Sequence, residues 1–534
     1  MIGRTNAVSG GGISTSTATA TADDILLGKT AFLSDGQEHT GTIPTWDGSF
    51  VGEAQDSYPY ADMDLLLGGV GGIYSGYCPS IIRGNAFGSL YGGWGNLSKF
   101  NPTFSSSWST ISVGSAAFYS QFNLTEISFL SSSCYKILGN SAFFSCISLA
   151  TPIINAIDIG ASCFEACFSL PYFSTVYSGT VSVRTWAMEV VGFSSVYISC
   201  NILSADRGAF GNLYYCSSIN INVSSYYIGG GLDFIRCSAI SYMSLPKVSG
   251  NGVPEGMFSE CINLQEVYLN FLEREQAYQR ASFMLRSYCF ADCVNLSKVT
   301  INCAASSYIR FISNCFKNCT LLENLSINNN PDSLSICFSV VIDQSAFYRC
   351  TTLKSLPENI NRYVSGTLAY SVFYECTNFR FFKTSCNLVS VYSWAFYNCH
   401  NLSFFYSPAL GGIQSSAFQN CSSLHSFIMY RSGEYGCNLS ATVFKGCISL
   451  ESYYHLANAV GALQNVDTFS ETPIADSSYL GYYGSIYVRA SLLDSYKAAT
   501  NWAYYSDRMV GVTDEEANAI ITAFANTQYV EPEE

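Results

Sequence analysis

The stretch Ala395-Phe396-Tyr397-Asn398-Cys399-His400-Asn401-Leu402-Ser403-Phe404-Phe405 decides the fold. Read alone, Cys399-His400 suggests a metal ligand pair or the start of a thiol active site. Read against the rest of the chain, it is one copy of a repeat. Phe-x-x-Cys occurs eleven times, at Phe143/Cys146, Phe164/Cys167, Phe234/Cys237, Phe258/Cys261, Phe290/Cys293, Phe316/Cys319, Phe347/Cys350, Phe373/Cys376, Phe396/Cys399, Phe418/Cys421 and Phe444/Cys447. Three residues after each cysteine stands an apolar residue, usually leucine, as at Leu149, Leu264, Leu402 and Leu424. Degenerate copies at Phe87, Phe118, Leu213/Cys216/Ile219 and Phe469 extend the series. Self-similarity of this kind is read before any local motif, because it dictates the architecture.

Apart from the gap between Phe164 and Phe234, partly filled by the copy at Leu213, successive phenylalanines lie 21 to 32 residues apart. One such period is a single coil too small to bury its own apolar face, so coils must stack. The Phe-x-x-Cys-x-x-Leu spacing predicts an inward helical or 3₁₀ turn, and the alternation after it predicts a strand with Leu424, Phe427 and Met429 inward. Stacking puts the cysteines in a buried column of small apolar side chains, a role that free thiols fill. Cys399 is therefore architectural. The same reading assigns Phe143, Cys146, Phe316, Cys319, Phe347, Cys350, Phe396, Leu402, Phe418, Cys421 and Leu424 to the repeat core.

Composition agrees with an elongated array. The 534 residues exceed what one compact core usually holds, only 12 % are charged, 15 % are aromatic and 48 % are apolar. A net charge of −14 disfavours nucleic acid, whose phosphates it repels. No apolar run of about 18 residues is present, which argues against membrane insertion. The N-terminus lacks the apolar core of a secretory signal, so the expectation is a cytosolic protein whose 22 cysteines are mostly reduced.

The repeat resembles the BspA-type leucine-rich repeat family, whose units read much like AFxxCxxLxxIxIPxxVxxIgxxAF. The resemblance covers roughly residues 81 to 470. It implies an α/β repeat solenoid: a leucine-rich-repeat-like, right-handed stack of coils with one parallel sheet, a small N-terminal attachment module and a C-terminal helical cap. This chain departs from the pattern where the Ile-Pro end of the strand is lost, and residues 170 to 210 and 265 to 287 read as insertions. The second insertion has a local concentration of charge and suits a helix outside the stack.

The ends differ from the repeats. Residues 1 to 22 read as a flexible leader. Asp24-Ile25-Leu26, Gly28-Lys29-Thr30-Ala31, Asp35-Gly36 and Thr40-Gly41-Thr42-Ile43-Pro44 are similar to short modules in tail and fibre proteins of tailed bacteriophages. Asp35-Gly36 between two short strand-like pieces signals a hairpin, and the module with its linker spans 23–80. Residues 471–512 resemble the terminal coil that closes BspA-type arrays, with Ser491 starting a helix. The final segment, 513–534, opens with a capping box at Thr513-Asp514-Glu515-Glu516. Its stripe of Ala517, Ile520, Ile521 and Phe524 must pack on the cap or on another subunit.

No catalytic constellation emerges. His39, His400, His425 and His455 lie in different segments without acid partners, and the Cys-x-x-x-Cys pairs lack a second ligand pair for zinc. Neither catalytic, cofactor-binding nor metal residues are assigned. What remains is surface: on the strands after Phe379, Leu402 and Leu424, alternation points Phe381, Lys383, Phe404, Tyr406, Ile428 and Tyr430 to solvent as a candidate ligand face. The tail-module resemblance implies a phage tail adhesin, assembled in the host cytoplasm and carried on the virion. Its module would bind other tail or baseplate proteins, its solenoid a host surface glycan or protein, and its oligomer would be a homotrimer. A bacterial surface adhesin of the BspA type and a structural virion decoration are the alternatives.

Overall fold

Each repeat closes into one coil, and neighbouring coils pair side by side through parallel strands. The computed structural model describes residues 97–101, 109–227, 233–248, 252–271, 282–303, 308–329, 339–431 and 435–528, with short pieces at 30–32, 38–40, 49–50, 72–74, 81–82, 84 and 87. The ladder reaches back to Ser49, which pairs in parallel with Ile73, well before residue 81. Before it, Thr30–Phe32 and Glu38–Thr40 pair antiparallel around Asp35-Gly36. The proposed helical turn at 23–28 lies outside the described residues.

The conserved unit of each coil is a tight succession of turns. Around Phe143, the amides of Ala142, Phe144 and Cys146 donate to the carbonyls of Gly139, Ser141 and Phe143. Ser141 and Ser145 sit at φ of 52° and 56°, and this left-handed pair of residues recurs along the stack. A backbone that alternates hands cannot continue as a helix, so the Phe-x-x-Cys segment is a corner instead of the helical turn expected.

Two inter-coil contacts tie each Phe-x-x-Cys corner to its neighbours. The phenylalanine amide donates to the carbonyl preceding the next coil's phenylalanine, as in Phe373 to Ala395 and Phe396 to Ala417. In the other direction, the thiol of each Phe-x-x-Cys cysteine donates to the previous coil's phenylalanine carbonyl, with S···O distances of 2.8–3.2 Å in all eleven repeats. Cys399, for example, donates to the carbonyl of Phe373. The cysteine is therefore a donor as well as a filler. At the Phe118 coil, Gln121 takes the cysteine position and its amide donates to the carbonyl of Phe87.

The rings stack coil on coil. From Phe87 to Phe164 and again from Phe210 to Phe469, neighbouring centroids are 4.9–5.7 Å apart and within 26° of parallel. That spacing is close to the separation of about 4.8 Å between paired strands, so one period serves both. Met188 interrupts the column: its amide donates to the carbonyl of Ala209, as a ring position requires. In the degenerate middle copy, the ring is Phe210, with Leu213 at the cysteine position and Cys216 at the leucine position.

Several sequence expectations change. Two rows of parallel strands line much of the stack where one sheet is expected, exemplified by the sheet through Tyr242–Val248, Glu266–Phe271, Lys298–Cys303 and Asn324–Asn329 and a second through Gly252–Val253, Ser282–Leu285, Tyr308–Phe311 and Ser339–Ile342. The segment before each corner is also extended, because stretches such as Ser-Val-Val-Ile alternate inward and outward like the first. Residues 170 to 210 are coils with long strands, Tyr172–Val183 and Ser195–Ala205, paired along most of their length. Glu266–Phe271 and Ser282–Leu285 place both ends of the second supposed insertion in the stack; 272–281 lies outside the described residues.

Helices are few. Helix α1 is the single turn Glu358–Asn361, α2 is Leu493–Ala498 and α3 is Asp514–Asn526. The terminal coil adds the strands Ser485–Arg489 and Met509–Val512 to the row of Ser426–Met429 and Ser452–His455. Ser491 does not cap α2, whose N-cap is Leu492 with no side-chain bond, because a 3₁₀ turn at Ala490–Leu492 leads into it. Helix α3 carries the expected capping box between Thr513 and Glu516.

Candidate functional site

The cysteine column is closed to chemistry. Cys399 is fully buried, and burial pushes its thiol well above the usual range. The same cause takes Cys146 and Cys261 up to about 12. A thiol held protonated in an apolar column is a poor nucleophile and a poor ligand. His400 is exposed and its Nδ1 lies 3.0 Å from the Asn420 carbonyl, directed away from Cys399's bond to Phe373. Among the described residues, no group of three His, Cys, Asp or Glu side chains is placed to hold a metal. No described helix is long and apolar enough to cross a membrane.

The aromatic face expected on the last coils is assembled, and then covered. Phe381 and Phe404 stack at 5.0 Å on the outer side of their strands, while Phe382, Phe405 and Phe427 stack inward. Tyr406 and Ile428, expected in solvent, are only 4 % and 2 % exposed, and Phe381, Lys383, Phe404 and Tyr430 are half-buried. The cover is α3. Its Ala517, Ile520, Ile521 and Phe524 form one apolar cluster with Tyr406, Ile428, Leu456, Tyr454 and Tyr487. Phe524 stacks on Phe404 at 5.8 Å and meets Tyr454 edge-on.

Both ends of α3 are tethered. Arg489 pairs with Asp514 in the first turn at 2.5 Å. At the other end, Lys383 Nζ donates to the Thr527 carbonyl at 2.8 Å, satisfying a group that the helix leaves without a partner. The 13 residues of α3 span about 20 Å at about 1.5 Å per residue. That equals about four gaps between neighbouring strands, the distance from Phe381–Lys383 to Ser485–Arg489.

Where α3 ends, a cleft of about 580 Å³ remains, lined among others by Glu358, Arg362, Phe381, Lys383, Tyr406 and Thr527. Burial lowers the Lys383 pKa, nearby Glu358 raises it and Arg362 lowers it again.

Upstream, the corresponding outer rows stay open. Tyr172, Ser195 and Ser218 lie side by side, then Ser174, Tyr197 and Asn220, then Val176, Ser199 and Asn222, all exposed or half-exposed. Next come Tyr242, Glu266, Lys298 and Asn324, then Ser244, Tyr268, Thr300 and Ser326, then Asn270, Asn302 and Asn328. Glu266 and Lys298 pair at 3.5 Å, so the face is nearly neutral. Asn328 donates to Asn302, which donates to the Tyr268 hydroxyl. Between Ser218–Tyr227 and Tyr242–Val248 lies a groove of about 430 Å³, lined by Asn220, Asn222, Tyr242 and Ser244 among others. These residues escaped the sequence reading, although they occupy the same alternate strand positions as Phe381 and Phe404. Applying that alternation to every coil finds them.

Set beside known proteins, the chain matches the family model described as "BspA type Leucine rich repeat region" over residues 96–215, 188–278, 283–339 and 340–471. No curated protein matches it. Among solved structures, it is similar to a leucine-rich repeat protein from Bacteroides ovatus, with 17 % identity, 92 % of each chain covered and a TM-score of 0.41. It is also similar to a leucine rich cell surface protein from Faecalibacterium prausnitzii, with 15 % identity, 82 % of this chain and 87 % of that one, and a TM-score of 0.29. The pneumococcal vaccine antigen PcpA follows at 13 % identity, with 64 % of this chain and 84 % of that one covered and a TM-score of 0.27. With a corner built on Phe-x-x-Cys in eleven coils and the family model spanning most of its length, the chain belongs to the BspA-type leucine-rich repeat family.

Proposed function

We propose that this protein is a non-enzymatic adhesin of the BspA type, displayed at a bacterial surface and recognising a surface glycan through the outer rows of its middle coils. One observation carries the reading: the outer positions from Tyr172 to Asn328 are rich in hydroxyls, amides and tyrosine rings on a rigid, nearly neutral sheet. Sugar hydroxyls both donate and accept, so Asn side chains and hydroxyls suit them, and tyrosine faces suit the apolar side of a pyranose ring. A rigid face also loses little entropy on binding. Among the described residues, the ladders of the coil interior are phenylalanine and cysteine, whose thiols burial holds protonated.

A second reading is a phage tail receptor-binding protein, carried as a homotrimer on the virion and attached to tail or baseplate proteins. The segment 23–44 favours it, including the hairpin of Thr30–Phe32 with Glu38–Thr40. Binding to intact bacteria and to a glycan array tests the adhesin. Tyr242→Ser combined with Asn220→Ala should abolish binding at an unchanged melting temperature; undiminished binding overturns the face. Mass spectrometry and gold labelling of virions against cell envelopes separates the two locations.

A further inference from the structure

We propose that the cleft at the C-terminal end of α3 is a second binding site, specific for a carboxylate-bearing sugar. Its volume of about 580 Å³ lies within the range of about 300–1,000 Å³ typical of small-ligand sites. The floor is aromatic and immobile: Phe381 is stacked on Phe404, and Tyr406 is 4 % exposed. Such a floor fits the apolar face of a sugar ring.

The walls set the charge. Eight cations of the described chain are ion-paired, mostly to a neighbouring coil, as Arg310 is to Asp343 and Arg349 to Glu375. Arg362 and Lys383 are among the described cations outside these ion pairs, and both line this cleft. Lys383 spends one proton on the Thr527 carbonyl and retains two donors. Arg362 is exposed, with its guanidinium 5.8 Å from the centre of the Tyr363 ring. A carboxylate between them meets charge-assisted donors on two sides, while Glu358, which lies near Lys383 and lines the same cleft, accepts from sugar hydroxyls. A peptide that docks by strand addition is the poorer fit, because that mode needs an unpaired strand edge. Here one edge of Phe381–Lys383 is paired with Phe404–Tyr406, and on the other side the Arg380 amide donates to Lys354.

The test is calorimetry of the full chain with glucuronic-acid oligosaccharides against glucose oligosaccharides of the same linkage. The acid form should bind at least about tenfold more tightly, as expected for a hydrogen-bonded charge. Arg362→Ala, at an exposed position, should erase that preference at an unchanged melting temperature, and Lys383→Met should weaken it. The variant Tyr242→Ser with Asn220→Ala should leave it untouched, so failure of the middle-coil face is distinguished from failure of this cleft. Equal affinity for acid and neutral sugars overturns the proposal, as does a preference that survives Arg362→Ala. An equal response to a glutamate-rich peptide overturns the sugar assignment.

Discussion

Acid should loosen the C-terminal cap through His455. This imidazole is fully buried, with its ring 5.5 Å from Tyr496 and 5.2 Å from Trp502, and Nδ1 lies 2.7 Å from the Tyr453 hydroxyl. Desolvation lowers its pKa from 6.5 to about 3. Because the folded pKa lies below the unfolded one, the unfolded chain binds more protons in between, and stability falls as pH drops from about 6.5 towards 3. At pH 4.5 the loss relative to pH 8 is about 3 kcal/mol. His455→Phe keeps an aromatic body and removes the titration, at a cost of about 1 kcal/mol for the Tyr453 hydrogen bond. The two proteins should therefore have stability curves that cross at about pH 6, the variant being less stable above and more stable below. Carboxylates titrating in both proteins cancel in the difference. The assay is urea unfolding from pH 8 to 4.5, read by hydrogen exchange in 452–456 and 496–505, since the end of a repeat array opens on its own. Parallel pH curves for the two proteins would refute the argument.

Cys399→Ala removes a buried sulfur and a donor to the Phe373 carbonyl, and should cost about 2 kcal/mol in urea unfolding. Native-state thiol labelling followed by mass spectrometry should leave the eleven column cysteines unmodified, and rapid labelling there would contradict their burial. Gly256→Ala meets no atom within 4 Å but sits at φ +66°; backbone strain alone should lower stability by about 1 kcal/mol, and a neutral result would show that the corner relaxes. Phe524→Ala, which removes the helix ring stacked on Phe404, should cost about 2 kcal/mol and speed exchange of the α3 amides; unchanged protection there would mean the tethers alone hold the helix.

The inward half of the fold was legible because it repeats. Phe143, Phe316, Phe347, Phe396 and Phe418 with their cysteines are all fully buried, and so are Leu402 and Leu424. What periodicity concealed was the local backbone: a spacing of three suits a helical turn and a chain of tight turns equally, and the choice is made by left-handed residues such as Ser145 and Asn398, whose type carries little signal. The cysteine's donor role was hidden for a similar reason, since a small filler and a small donor leave the same mark in the sequence. The degenerate coils failed for lack of anchors: without a ring at Met188 or a thiol at Val191, a true coil reads as an insertion.

The candidate face shows a different limit. Both halves of the contact were legible separately, the outward Phe404 and Tyr406 on one side and the apolar stripe of Ala517, Ile520, Ile521 and Phe524 on the other. What joins them is geometry: a helix of 13 residues is as long as the row of strands it crosses, and Arg489 and Lys383 stand at its two ends. A solenoid repeats the geometry of its outer face but not its residues, so burial of that face at one end says nothing about the middle. There the corresponding positions change from phenylalanine to serine, asparagine and tyrosine, residues that remain soluble without a cover. The switch in composition along a single row therefore separates the part of the face that packs from the part left to bind.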